Sequence, residues 1–189
     1  MAHAGTALID PRPIFERIAL APGMRVADLG CGRTGHFVFP ASRVVGDRGI
    51  VYAVEIVKNI LESIKSRCRS EGYNNVQAIW SDIEKIGKTP VPAGSLQACF
   101  LVNVLFLVHD KAAALKEAMR LIEPEGAVVV VEWGKRLGPL GPPDELLVSP
   151  EQAASYAQEA GLRVAEQFAM NEYHYCLILR KGEKHETNL

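Results

Sequence analysis

Two hydrophobic periods alternate along this chain. Short runs in which apolar residues crowd together, Arg25 to Leu29, Ile50 to Glu55, Val76 to Trp80, Leu96 to Val102 and Ala127 to Val131, read as β-strands. Between them apolar residues recur at three- and four-residue spacing. Ile60, Leu61, Ile64 and Cys68 mark one face of a helix over Val57 to Ser70 that stops at Gly72. Ile14, Phe15 and Ile18 mark a short opening helix before Pro22-Gly23, and Phe37 to Val45 another, with Pro40 in its first turn. Asp110 is an N-cap for a helix reaching Ile122, which Glu123-Pro124-Glu125-Gly126 stops. Ser149-Pro150-Glu151-Gln152 has the capping-box form with proline at the first helical position, so a last helix runs to about Ala160. Leu162 to Ala169 and Tyr173 to Arg180 then close the chain as a hairpin.

Strands alternating with helices predict a mostly parallel sheet with helices on both faces. Leu96 to Val102 is apolar throughout, as a central strand covered on both sides must be. The loop Trp133 to Val148, rich in glycine and proline, is the longest insertion. One domain spans residues 1–189, with 1–10 and 182–189 expected to be frayed ends.

Composition narrows the class. The chain has 189 residues, 48% of them hydrophobic and 23% charged, enough for one well-buried core. A net charge of −1 gives no strong nucleic-acid signal, and Lys65, Arg67 and Arg69 read as a solvated helix face. The four cysteines form no C-x-x-C pair, so no thiolate metal site is expected. The start of the chain lacks a basic-then-apolar leader, and no apolar run is long enough to span a bilayer. These features predict a cytoplasmic protein without membrane insertion.

The chemistry concentrates in Asp28-Leu29-Gly30-Cys31-Gly32-Arg33-Thr34-Gly35. A glycine turn after a strand lets a ligand approach the backbone. Asp28 at its lip repels a pyrophosphate and attracts a cation, so a ligand carrying sulfonium and ammonium groups suits it better than a dinucleotide. S-adenosylmethionine is such a ligand.

Four segments in register, over roughly residues 10–181, resemble the class I S-adenosylmethionine-dependent methyltransferases. The branch most similar is that of the ubiquinone and menaquinone biosynthesis methyltransferases. The resemblance implies a doubly wound seven-stranded sheet in the order 3-2-1-4-5-7-6, with strand seven antiparallel. It implies that Asp28, Gly30, Cys31, Gly32 and Gly35 form the methionine-binding loop. Glu55 would take the ribose diol, and Ile56 would pack on adenine. Asp82 and Ile83 would clamp the adenine edge, and Asn103 would stand beside the methionine end. Leu121 to Gly126 is similar to the family's Leu-x-Pro-Gly-Gly turn, with Glu125 replacing its first glycine.

The expected reaction is in-line transfer of a methyl group to a small-molecule acceptor, leaving S-adenosylhomocysteine. His109, just after strand four, is the candidate base, and His36 borders the same loop. Phe37, Phe39, Phe106 and Trp133 are candidates for an apolar acceptor wall as well as for core. With so few insertions, either a homodimer partner completes the lid or the acceptor is large. Competing readings are an RNA- or protein-directed methyltransferase, an NAD-dependent oxidoreductase with Glu55 on the ribose, and a non-catalytic S-adenosylmethionine-binding subunit.

Overall fold

The computed structural model describes residues 8–182. The predicted strands form at their expected places: β1 Arg25–Leu29, β2 Ile50–Glu55, β3 Val76–Trp80 and β4 Leu96–Val102. They are followed by β5 Ile122–Trp133, β6 Leu162–Ala169 and β7 His174–Lys181. The helices are α1 Arg12–Arg17, α2 Val38–Val45, α3 Lys58–Glu71, α4 Lys111–Leu121 and α5 Pro150–Glu159. The sheet order is β3-β2-β1-β4-β5-β7-β6; β7 runs antiparallel to both its neighbours. This is the architecture that the resemblance implied.

Strand alternation divides the core into two layers. Ala27, Leu29, Cys99, Leu101, Val128, Val130, Leu177 and Leu179 face α4 and α5 through Leu115, Ala118, Ala153 and Ala157. Val26, Phe100, Val102, Val129, Val131, Cys176 and Ile178 face α1, α2 and α3 through Phe15, Val38, Phe39 and Ile64. Phe37 and Phe39 are fully buried, and Phe37 packs against Phe15 and Phe100.

Both predicted caps form. The Asp110 carboxylate accepts from the Ala113 amide at 2.8 Å, and Ser149 with Gln152 completes a reciprocal capping box. One expectation is corrected. The segment Glu123 to Gly126 lies inside β5, which begins at Ile122, five residues before the expected start. Its register against β4 jumps from Leu96–Ile122 to Ala98–Ala127, so the segment is a bulge, where Pro124 needs no ladder partner. A side chain at Gly126 would lie 2.9 Å from the Leu96 carbonyl oxygen.

At the ends, residues 1–7 and 183–189 of the expected frayed segments lie outside the described residues. Ile9, within the first of them, is buried in the core. The carboxyl ends of β1, β4 and β5 therefore meet the start of the described chain, His36 and the loop 134–148 at one end of the sheet.

Candidate functional site

At the end of β1 the backbone reverses at Gly30, where φ is +82°. The amides of Gly30 and Cys31 both donate to the Val54 carbonyl, at 2.8 and 3.0 Å, tying the turn to β2. A Cβ at Gly30 would lie 2.7 Å from Val104 Cγ2, so only glycine permits this approach between the β1 and β4 ends.

Glu55 ends β2 buried, and its carboxylate organises the surrounding backbone. One oxygen accepts from the Gly32 amide at 3.2 Å; the other accepts from Ile56 and Val57 at 2.9 and 3.0 Å. A solvated strand-end charge would do none of this. Ile56 is half exposed beside it.

Asp28 is only 3% exposed, and its Oδ1 has no hydrogen-bond partner. Burial, with a smaller contribution from the Glu55 charge, pushes its carboxyl up to about 8. Asn103 is the second unfinished group. It leaves β4 at φ +55°, its amide donating to the Val131 carbonyl at 2.8 Å. Its buried side-chain Oδ1 and Nδ2 are both unpartnered. Buried polar atoms normally find partners within the fold, so these atoms are exceptions at the crevice.

Two hollows meet at Gly30. The wider, about 340 Å³, is lined by Gly30, Glu55, Ile56, Asp82, Ile83, Val104 and neighbours including Glu84, Leu107 and His109. The narrower, about 10 Å³, lies among Asp28, Cys31, Gly32, His36, Phe37 and Val102. Four carboxylates, Asp28, Glu55, Asp82 and Glu84, border this crevice, and no lysine or arginine lines either hollow. Such a surface favours a cationic ligand and disfavours a pyrophosphate.

The structure thus gathers Asp28, Gly30, Cys31, Gly32, Glu55, Ile56, Asp82 and Ile83 around one crevice, with Asn103 between the lining residues Val102 and Val104. Asp82 also makes an Asx turn, accepting from the Glu84 amide at 3.0 Å. Gly35 packs instead against Phe39 and Ile64 behind the loop. His36 borders the narrow hollow, and its Nε2 donates to the Ile9 carbonyl. His109 is exposed on the rim of the wide hollow with Asp82 and Ile83, away from Asp28. Among the described residues no cluster suits a metal ion, and the four cysteines are free.

Glu132 escaped sequence reasoning. It is buried near the end of β5, where its Oε1 accepts from the Val104 amide at 2.7 Å and from Leu105. It thereby holds Val104 over Gly30. Burial raises its carboxyl to about 7 against four backbone N–H groups that pull it down. A lone acid in an apolar strand was its sole signal.

Comparison with known proteins agrees with the fold. A family model described as "Methyltransferase domain" matches residues 20–174. The ubiquinone/menaquinone biosynthesis C-methyltransferase UbiE of Shewanella frigidimarina is 33% identical over 123 residues, 65% of this chain and 47% of that protein. The chain spans about half the length of the curated relatives it matches. Among solved structures, a SAM dependent methyltransferase from Aquifex aeolicus superposes with a TM-score of 0.83 at 24% identity, over 94% of this chain and 92% of that one. The [4+2]-cyclase SpnF superposes at 0.78 with 16% identity, over 95% and 82%. A fold shared with a cyclase leaves the chemistry to be argued from the site.

Proposed function

The chain belongs to the methyltransferase-domain family, and from that premise we propose that it is an S-adenosylmethionine-dependent methyltransferase acting on a small-molecule acceptor. One observation carries the reading: a buried, unpartnered Asp28 carboxyl opens on a crevice bordered by acids and by no lysine or arginine. The residues fit a ligand that is cationic at one end and a nucleoside at the other.

In this reading Asp28 and Asn103 receive the amino-acid end, where their free oxygen and amide atoms find partners. Glu55 keeps acceptor capacity beyond its three backbone contacts, enough for a ribose diol. Ile56 and Leu107 offer apolar surface at the mouth of the wide hollow, while Asp82 and the Ile83 amide face the edge of the base. When bound, the donor supplies a methyl carbon on positive sulfur, which an acceptor lone pair takes by in-line displacement while the C–S electron pair stays with sulfur. The protein's contribution is orientation and exclusion of water.

Asp28 also couples binding to protons. With its carboxyl raised to about 8, it is mostly protonated at pH 7 in the free protein. A cation alongside favours the ionised form, so binding releases a proton and strengthens as pH rises toward 8. The sequence offers His109 as the proton acceptor for acidic acceptors. Its position on the rim beside Asp82 also puts it within reach of the nucleoside end, and kinetics distinguishes the two roles.

The assignment is tested by calorimetry with S-adenosylmethionine and S-adenosylhomocysteine. Asp28→Asn should weaken S-adenosylmethionine binding at least tenfold and abolish the proton release, measured in buffers of different ionisation enthalpy. Unchanged affinity in that variant, or tighter binding of NAD by the unaltered protein, would remove the assignment. No helix among the described residues is long and apolar enough to cross a membrane.

A further inference from the structure

Beyond Val102 the chain turns out of the sheet, and a buried acid on the neighbouring strand takes over the pairing that the ladder gives up. The last β4–β5 register pair is Val102–Val131, and the Asn103 amide still reaches the Val131 carbonyl at 2.8 Å. Asn103 then adopts φ +55°, a left-handed conformation that residues other than glycine take rarely. The next two amides, Val104 and Leu105, both donate to Glu132 Oε1, the first at 2.7 Å. Consecutive N–H groups that follow a left-handed residue and converge on one oxygen form a nest for an anion. Here the protein supplies that anion from its own side chain.

Glu132 itself stands behind the crevice. It is 1% exposed, and strand alternation puts it with Val128 and Val130 on the layer covered by α4 and α5. It lines neither hollow. Its register partner Tyr175 shares that face, but the Tyr175 hydroxyl donates to the Val148 carbonyl at 2.8 Å and is engaged there.

What the acid holds does face the crevice. Val104 lines the wide hollow and Val102 the narrow one, with Asn103 between them. Val104 also packs on the bare backbone of Gly30, where an added Cβ would lie 2.7 Å from Cγ2. The turn is therefore part of the wall between the two hollows. The buried side-chain amide of Asn103, unpartnered at both Oδ1 and Nδ2, goes wherever that turn goes.

We propose that Glu132 is a positioning residue for the methyl donor: its Oε1 fixes the Val104–Leu105 nest, and the nest holds Asn103 in the left-handed conformation that keeps its free amide group at the wall of the crevice. The proposal rests on the donor reading of that crevice. Reach matters more than charge in such an arrangement. Glutamine places a carbonyl oxygen equally far from the backbone and can accept from both amides. Aspartate keeps the carboxylate but is one methylene short, which leaves two buried amides without an acceptor unless the turn moves to meet it. A residue serving only the fold would change stability without regard to Asn103. A positioning residue ranks the variants by reach and acts through Asn103.

Calorimetry with S-adenosylmethionine on the full-length protein tests this. Glu132→Gln should bind the donor within about threefold of the unaltered protein, and Glu132→Asp about tenfold more weakly. In an Asn103→Ala background Glu132→Asp should cost less than about twofold, because the group it misplaces is already gone. Without any donor, Glu132→Asp should move the Asn103 side-chain amide resonance in ¹⁵N spectra together with the Val104 and Leu105 backbone amides, and Glu132→Gln should leave it near its place. Equal donor affinity in Glu132→Gln and Glu132→Asp, an undiminished loss in the Asn103→Ala background, or an Asn103 side chain unmoved while its neighbours shift would overturn the proposal. If Glu132→Asp does not fold, the same coupling is read from Glu132→Leu in an Asn103→Gly background, where glycine takes the left-handed turn unaided. Donor affinity equal to that of Asn103→Gly alone supports the proposal, and a further loss of about tenfold overturns it. A protein that ignores the donor altogether defeats the donor reading, while the Asn103 resonances still decide whether Glu132 positions that residue.

Discussion

Glu117 and Asp28 are carboxylates sealed against the same sheet, one finished and one not. Glu117, on α4, is fully buried, yet both its oxygens are occupied. They accept from the Gly87 and Thr89 amides at 2.7 and 3.0 Å and from two nitrogens of Arg120, each at 2.8 Å. Arg120 in turn donates to the Thr89 and Val91 carbonyls. Burial alone would raise this carboxyl, but Arg120 and the loop amides hold it down at about 2. Asp28 meets the same desolvation with no donor on Oδ1 and a second carboxylate nearby, and it rises to about 8. The first cluster fastens the loop 87–91 to α4. The second leaves Asp28 Oδ1 without a donor from the fold.

The contrast breaks most visibly on substitution. Glu117→Ala strips two loop amides and a guanidinium of their partner, and should destabilise the protein by about 3–5 kcal/mol in urea denaturation. Asp28→Asn should act in the opposite direction, because it removes a charge that the fold never compensated. A gain of about 2 kcal/mol at pH 8.5 is expected, together with the loss of donor binding. A destabilised Asp28→Asn protein would mean that the carboxylate serves the fold, as Glu117 does.

Titration sharpens the same comparison. Asp28 has a folded value above its unfolded one, so the folded state holds the extra proton between about pH 4 and 8. Stability must then fall as pH rises through that window, with a slope of up to about 1.4 kcal/mol per pH unit. Glu132, raised to about 7, adds a slope of the same sign. Glu117 runs the other way: its contribution is complete above about pH 4.5 and is lost as pH falls toward 2. Urea midpoints from pH 2 to 9 should therefore peak in mild acid. Asp28→Asn should flatten most of the alkaline limb, leaving the part due to Glu132.

How far this was readable in the sequence depends on whether a feature is local. The strands β1 to β4 were legible because alternation and apolar runs are set by neighbours a few residues apart. Asp28, Glu55 and Asp82 could be singled out because each lies in a short motif at or just beyond the carboxyl end of a strand, and the structure brings the three to one crevice. The start of β5 was not, since Pro124 and Gly126 carry the local signature of a turn while the bulge needs the β4 register to be seen. Glu132 was invisible for the same reason: its role arises from backbone amides brought to it across strands. That Asp28 lacks a partner is likewise a property of the whole packed end.

The smallest expected effect belongs to His109, and it tests whether the unfinished end of the sheet extends to the rim. The imidazole is exposed and lines the wide hollow together with Ile56, Asp82 and Ile83, on the opposite side of Gly30 from Asp28. If its contact is with the nucleoside end, His109→Ala removes partly solvated surface that acts equally in the ground and transition states. Such a loss raises KM for S-adenosylmethionine about two- to fivefold and leaves kcat unchanged. If His109 instead takes a proton from the acceptor, kcat falls by about a hundredfold or more at saturating donor and its pH profile loses a limb. The rim position favours the first outcome. A fall in kcat alone would place the acceptor's reacting atom within reach of that ring and move the reaction centre toward the wide hollow.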